Sequence, residues 1–331
     1  MLRAFFGHHK AATTWISLIL NDVAAALRLR VLTIHSPAAW SEHACLGDLV
    51  RSVNPDLLLL TNARQADVDT LPEFRGFHVI RDPRDMIVSG YFSHLYSHSE
   101  GGWPELPPHK RALQRLNRDD GLHAEIRFSA RFIDHMSTWN YHQSGVLELR
   151  MEDLVTSPHL VWRAILLHLG LEASICGRTE WLRSAFVAWN VARVRGLRSG
   201  VTTLRRVLPR CPLRRLPPSY LTEALAAYSF TRLAGGRSPG QENPTHHYRR
   251  GLPGDWRNHF NAQHLASFRA RYGDLVERLS YACDRSPALR VQHPAQALHP
   301  VGVEALSLTD TSGLKRRARN PQRATREPML G

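Results

Sequence analysis

The chain alternates short, mostly apolar runs with longer stretches whose apolar residues recur every three or four positions. Residues 2–6 open the series, bounded by Gly7, with the length and bulk of a buried strand. Residues 31–34, 57–60, 77–80 and 146–149 repeat that pattern, and each reads as a strand. Between them the spacing is helical: from Trp15, Ile16, Leu18, Ile19 and Leu20 onward, over 85–97 after Pro83, and over 119–141. Ser157 and Pro158 start another helix, and a further one spans about 179–192. Residues 101–108, with Trp103, Pro104 and Pro107, read as a loop. Strands alternating with helices predict a single α/β domain with a central parallel sheet flanked by helices.

The first strand and helix enclose the loop His8-His9-Lys10-Ala11-Ala12, with Thr13 or Thr14 expected as the N-cap of the helix. A strand, a short loop and a helix start make a phosphate cradle. The first backbone N–H groups of the helix lack intrahelical acceptors, and the macrodipole favours negative charge there. Lys10 supplies a point charge. Of the 43 lysines and arginines only Lys10, Lys110 and Lys315 are lysine, so a compact ammonium in this loop points to a role. A solvated loop residue is the other reading. The G-x-x-x-x-G-K-[ST] pattern of nucleotide triphosphatases is absent, and Lys10 precedes the small residues instead of following them.

Three later stretches carry chemistry. Arg81 emerges from a strand end, where open α/β sheets bind ligands, and Ser89 lies about two turns along the next helix. An arginine fork and a hydroxyl so placed can grip one phosphate from two sides; a structural Arg81–Asp82 ion pair is the alternative. Met151, Glu152 and Asp153 follow the fifth strand, and the two carboxylates read as turn and capping groups before they read as an acid–base pair. Tyr228-Ser229-Phe230 precedes a loop with Arg249, Arg250, Gly251, Gly254, Asp255 and Trp256, whose glycines permit tight turns.

Composition narrows the classes. With 43% apolar and 22% charged residues the 331-residue chain is globular. Its net charge of +14 admits nucleic acid, an anionic membrane surface or a small polyanion as partner. Residues 193–215 are rich in arginine and hold no Asp or Glu, a basic insertion that is either a solvated loop or a surface attracting an anionic acceptor or membrane. Residues 286–331 read as a disordered basic tail. Cys45, Cys176, Cys211 and Cys283 form no metal or disulfide spacing and fit a reducing, cytoplasmic compartment; the opening apolar run is too short for a signal peptide.

His9-Lys10-Ala11-Ala12-Thr13-Thr14-Trp15 resembles the P-K-S-G-T-T-W loop of sulfotransferases that use 3′-phosphoadenosine 5′-phosphosulfate (PAPS), where it holds the 5′-phosphosulfate. Ala12 stands at the family's Gly, which is tolerable if its φ stays negative. The segment from Arg81 to Ser89 resembles R-[DN]-P-[RK]-D-x-x-V-S, which binds the 3′-phosphate. Arg150-Met151-Glu152-Asp153-Leu154 resembles Y-E-D-L, with Met151 where a Tyr contacts the adenine. Ser229-Phe230 resembles T-S-F, whose aromatic stacks on the adenine. Arg249-Arg250-Gly251 with Gly254-Asp255-Trp256 resembles R-K-G-x-x-G-D-W, which folds over the cofactor and completes the 3′-phosphate site.

The resemblance spans residues 2–273 and implies a sulfotransferase domain over 1–280. It implies PAPS as co-substrate, no metal, no nucleic acid, and sulfuryl transfer to a hydroxyl or amine of a small-molecule or glycan acceptor. Lys10 would neutralise the leaving oxygen. Cytosolic members place a catalytic His just after the third strand. Here Thr61, Asn62, Ala63 and Arg64 stand there, so the base is assigned to His94, with His35, His98 and Glu125 as alternatives. The K-x-x-x-T-V-x-x-x-E dimer segment is missing, since Asn261, Ala262 and Ala266 occupy its places, so a monomer or a different dimer is expected. The competing classes are a P-loop kinase-like phosphotransferase and an arginine-rich nucleic-acid or polyanion binder.

Overall fold

The five apolar runs pair side by side in one parallel sheet. In the computed structural model they are β1 (Leu2–Gly7), β2 (Val31–Ile34), β3 (Leu57–Leu60), β4 (Phe74–Ile80) and β5 (Val146–Arg150), in the order β2-β3-β1-β4-β5. The structure describes residues 1–101, 103–172, 180–198 and 213–281, with 180 and 192–198 by backbone only. All belong to one compact unit, Met1–Val291. The helices of the first two-thirds of the chain are α1 (Thr13–Leu27), α2 (Leu46–Val53), α3 (Gln65–Val68), α4 (Pro83–Phe92), α5 (Leu106–Leu113), α6 (Arg118–Phe128), α7 (Ala130–Ser137), α8 (Met151–Thr156), α9 (Pro158–His168) and α10 (Glu180–Arg198). Among the described residues no helix is long and apolar enough to cross a membrane.

The strands are mostly apolar because both faces are covered. Phe5, Leu57, Leu59, Phe77 and Val79 pack on α1, α9 and α10, around Ile16, Leu20, Trp162 and Val187. The alternate residues Ala4, Phe6, Leu58 and Leu60 face Trp40, Leu46, Val50 and Trp139. A further core gathers at Ile80, from Met86, Ile87 and Val88 of α4, Ile126, Ile133 and Met136, and the late residues Trp256, Phe268 and Tyr272. That core ties the end of the domain to the strand end carrying Arg81.

The chain leaves β1 for β2 and β3 on one side and returns through β4 and β5 on the other. The C-terminal ends of β1 and β4 are therefore neighbours at a topological switch point, where open α/β sheets bind ligands. This brings residues 8–12 beside residues 81–82.

Several expectations need correction. The stretch expected as one helix over 119–141 is α6 and α7, divided at Ser129. The Ser129 hydroxyl donates to Glu125 Oε1 at 2.5 Å, and its carbonyl starts the next helix by accepting from Phe132 N and Ile133 N. The loop expected over 101–108 ends at Leu106. Pro107 and Pro108 sit in the first turn of α5, where a missing N–H costs nothing. The helix expected over 85–97 is α4 followed by one π-helical turn, Ser93–Ser97. The helix expected over 179–192 runs on to Arg198, taking in the first residues of the expected basic insertion; residues 199–212 and the expected tail, 286–331, lie outside the described residues.

Candidate active site

The loop after β1 folds back closely on the helix it feeds. A Cβ on Gly7 would stand 2.7 Å from both the Phe5 ring and Thr13 Cγ2, so only glycine fits there. Ala11 N–H donates to the His8 carbonyl at 3.0 Å, and Lys10 and Ala12 on either side both take left-handed backbone, with φ of 64° and 58°. The N-cap is Ala12, not Thr13 or Thr14, which are the first two residues of α1. Ala12 does not keep the negative φ expected of it. The methyl group is carried in the left-handed region, at a cost of about 1 kcal/mol.

Arg81 fastens this loop from β4. Its guanidinium donates Nη1–H to the Lys10 carbonyl at 2.9 Å, while its buried Nε has no partner among the described residues. An Arg81–Asp82 ion pair does not form. Asp82 instead binds Arg84 through both carboxylate oxygens, at 3.0 and 2.7 Å, and caps α4 by accepting from Arg84 N–H. Burial, with Arg81 and Arg249 nearby, lowers Lys10 to about 8 against the pull of Glu125. Among the described residues no carboxylate lies within ion-pair distance of its ammonium. Lys10, Arg81 and Arg249 thus converge from three segments; Asp85 stands 3.9 Å from Arg81, and Glu242 and Asp255 pair with Arg249, which leaves Lys10 without an ion-pair partner among the described residues.

The late loop is latched to the same helix start. Asp85 is buried and accepts from Gly254 N–H at 2.6 Å and Trp256 N–H at 2.8 Å, and the Arg84 guanidinium lies 3.7 Å above the Trp256 ring. Gly251 and Gly254 have φ of 74° and 80°, as their turns require. Arg249 and Arg250 both reach Asp255, and Arg249 also pairs with Glu242 at 2.5 Å and covers Phe92. Gly251 presses its backbone on Phe230, for a Cβ there would stand 2.4 Å from the ring. Trp15 Nε1–H donates to the Tyr228 carbonyl at 2.9 Å. Ala12, Trp15, Met151 and Tyr228 line the margin of one apolar core. Ser229 lies at the start of the helix Phe230–Leu233, and Ser89 is half-buried in the second turn of α4. Glu152 is not a turn or capping group: it accepts from Asp82 N–H and from the Tyr281 hydroxyl, both at 3.1 Å, and so braces the Arg81 strand end.

His94, the expected base, is fully buried with both ring nitrogens used. Nδ1–H donates to Glu125 Oε2 at 3.0 Å, and Nε2 faces His9 Nε2 at 2.9 Å. Glu125 also accepts from His109 at 2.8 Å and from Ser129. Burial pushes the Glu125 carboxyl up, but His94 and His109 outweigh it and hold it down to about 2. A Cβ on Gly90 would come within 2.5 Å of Glu125, so that glycine makes room for the carboxylate. His9 stacks on His94, with His98, Trp103 and Phe132 around it. His35 is elsewhere, on Thr61 at the end of β2. The ligand atoms of His9, His94 and His98, and likewise those of His94, His109 and Glu125, lie within 4.8 Å of one another, near enough to share a metal ion. Separate segments supply these side chains, so no spacing along the chain marks the group.

A second buried relay runs beneath the loop. The register sets Phe6, His78 and Glu148 side by side on one face. His8 Nε2 meets His78 Nε2 at 2.7 Å, His78 Nδ1 meets Glu148 Oε2 at 2.5 Å, and Trp139 Nε1–H donates to Glu148 Oε1 at 2.9 Å. Burial pushes Glu148 up to about 8 and His78 down to about 3, both of which favour the neutral pair over the ion pair.

No family model matches the chain, and no curated protein sequence matches it. Its fold is similar to solved structures of mouse sulfotransferase SULT7A1 complexed with PAP and of retinol dehydratase with PAP and either androsterone or retinol. The first is 12% identical over 83% of this chain and 85% of that one, with a TM-score of 0.49. The retinol dehydratase structures are 14% and 13% identical, cover 87% and 86% of this chain and 83% and 82% of theirs, and have TM-scores of 0.38 and 0.39.

Proposed function

We propose that the chain is a sulfotransferase that moves the sulfuryl group of PAPS to a hydroxyl or amine acceptor. The observation that carries this reading is the joining of three motifs far apart in sequence. Arg81 bonds the carbonyl of Lys10 in the cradle, and Asp85, four residues on, holds Gly254 and Trp256 of the late loop. Each segment resembles a PAPS-binding motif at its own place in the chain, and the contacts between them support a single site.

In this reading the cradle 10–15 and the dipole of α1 bind the 5′-phosphosulfate. Arg81, Ser89 and Arg250 take the 3′-phosphate, with Arg249 and Gly251 holding the loop over it. Met151 and Phe230, beside Ser229, flank the adenine. The acceptor oxygen attacks sulfur in line as the bridging oxygen leaves with new negative charge, which Lys10 neutralises. No step draws on a metal. Lys10 and Arg131, which face His9, make its surroundings less favourable for another cation. The test is transfer of label from sulfur-labelled PAPS to a pool of phenols, alcohols, sugars and amines. Labelled products that vanish with Arg81→Ala support the reading, and a folded protein that labels no member of the pool and binds no PAP counts against it.

A further inference from the structure

The imidazole cluster has an order set by its hydrogen bonds. Glu125, buried and ionised, accepts at Oε2 from both His94 Nδ1–H and His109 Nε2–H and at Oε1 from Ser129, so it donates to none of them. With Nδ1–H given to Glu125, a neutral His94 presents a bare Nε2, and His9 is then the donor across the 2.9 Å contact. His9 then keeps a bare Nδ1 with no protein partner among the described residues. It is partly exposed where His94 is sealed, and it adjoins Lys10 in the cradle. His98 is no rival of the same kind. Its Nδ1–H goes to the Ser99 carbonyl at 2.8 Å, and among the described residues no carboxylate hydrogen-bonds to it.

We propose that His9 is the base that takes the acceptor's proton, with His94 and Glu125 aligned behind it as positioning residues that receive and hold the charge. The proposal rests on the sulfotransferase reading. A lone pair on the acceptor oxygen forms the new oxygen–sulfur bond. The bond from sulfur to the bridging oxygen breaks, and its electrons stay on the 5′-phosphate beside Lys10. The acceptor's proton goes to His9 Nδ1. The Nε2 proton of His9 can then shift to His94 Nε2, whose imidazolium faces the Glu125 carboxylate. The groups facing His9 are Lys10, Arg131, His94 and His98, and together with burial they keep it unprotonated before the reaction. Two imidazoles and a carboxylate in line are the arrangement by which a base is oriented and its charged form stabilised.

The test separates base catalysis from structural support by the acidity of the acceptor. An alcohol needs a base, whereas para-nitrophenol is already ionised at pH 8. His9→Ala should lower turnover with alcohol acceptors by about 100-fold or more while turnover with para-nitrophenol stays within a few-fold, and added imidazole should restore part of the loss. Glu125→Gln should lower alcohol turnover and move the acid limb of its pH profile. Equal losses with both acceptors, or none with either, overturn the proposal. Calorimetry with 3′-phosphoadenosine 5′-phosphate (PAP) on the unmodified protein and on His9→Ala keeps the two claims apart. Intact PAP binding with an unselective loss removes only His9's role, and absent PAP binding in the unmodified protein removes the sulfotransferase reading.

Discussion

Replacing Asp85 with alanine should loosen the late loop more than any other single change outside the strands. Its carboxylate accepts from Gly254 N–H and Trp256 N–H, at 2.6 and 2.8 Å, within a buried setting. Each buried donor left unpaired costs about 1–3 kcal/mol. Part of that is returned because a buried carboxyl, itself raised by burial, is removed as well. The net loss should be about 2–4 kcal/mol, roughly 4–16 °C in melting temperature for a domain of this size. The freed loop carries Arg249 and Arg250, so binding PAP must first order it, and the same loss of about 2–4 kcal/mol, at roughly 1.4 kcal/mol per tenfold, should lower affinity about 30- to 700-fold. Asp85→Asn keeps one acceptor but turns an amide N–H₂ toward the other donor, and should fall between the two. Thermal melts and calorimetry on the three proteins make the comparison. An alanine variant that melts within about 1 °C of the parent and binds PAP equally well would refute the latch.

Lys10→Ala should lower turnover by about 100- to 1,000-fold and PAP affinity much less, with Lys10→Arg also poor because a guanidinium is wider than the loop allows; steady-state kinetics beside calorimetry decides. Since Lys10 titrates near 8, the parent's turnover should decline above that pH. Fold stability should follow the second relay. His78, lowered to about 3, makes stability rise with pH from that value to the ordinary imidazole range, and Glu148, raised to about 8, makes stability fall as pH rises from the ordinary carboxyl range to about 8. Those slopes oppose each other between about 4.5 and 6.5, where His8, His9 and His247, also lowered by burial, add to the rise; above about 6.5 the Glu148 slope is left, so denaturant melts should decline toward pH 8, and a rise across that interval would show an ion pair instead. A strong chelator should leave sulfuryl transfer unchanged, and a loss restored by added zinc would mean that His9, His94 and His98 hold a metal.

The sheet was legible because parallel strands covered on both faces leave short, mostly apolar runs, and residues 31–34 and 57–60 form strands with those bounds. Pro83 marked the start of α4 for the same elementary reason. Backbone conformation was harder to see. Nothing in an alanine announces φ of 58°, and the loop depends on Ala12 adopting it. Convergence was invisible. His9, His94, His109 and Glu125 come from the first loop, the π-helical turn, α5 and α6, and among 19 histidines no spacing marks four groups that meet only after folding. His9 was in plain view as the neighbour of Lys10, yet its chemistry comes from what lies behind it. Glu152 likewise reads as a turn or capping carboxylate, whereas it spends its oxygens on the Asp82 N–H and on the Tyr281 hydroxyl brought from the far end of the domain.

The central claim is that Arg81, Ser89 and the late loop form a 3′-phosphate site joined to the cradle of Lys10. Calorimetry comparing PAP with adenosine 5′-phosphate tests it directly, since the two ligands differ only in that phosphate. Losing two charge-assisted hydrogen bonds at about 1.5–3 kcal/mol each should weaken adenosine 5′-phosphate by about 100-fold or more, and Arg81→Ala should close most of that gap. Equal affinity of the unmodified protein for the two nucleotides would contradict the account.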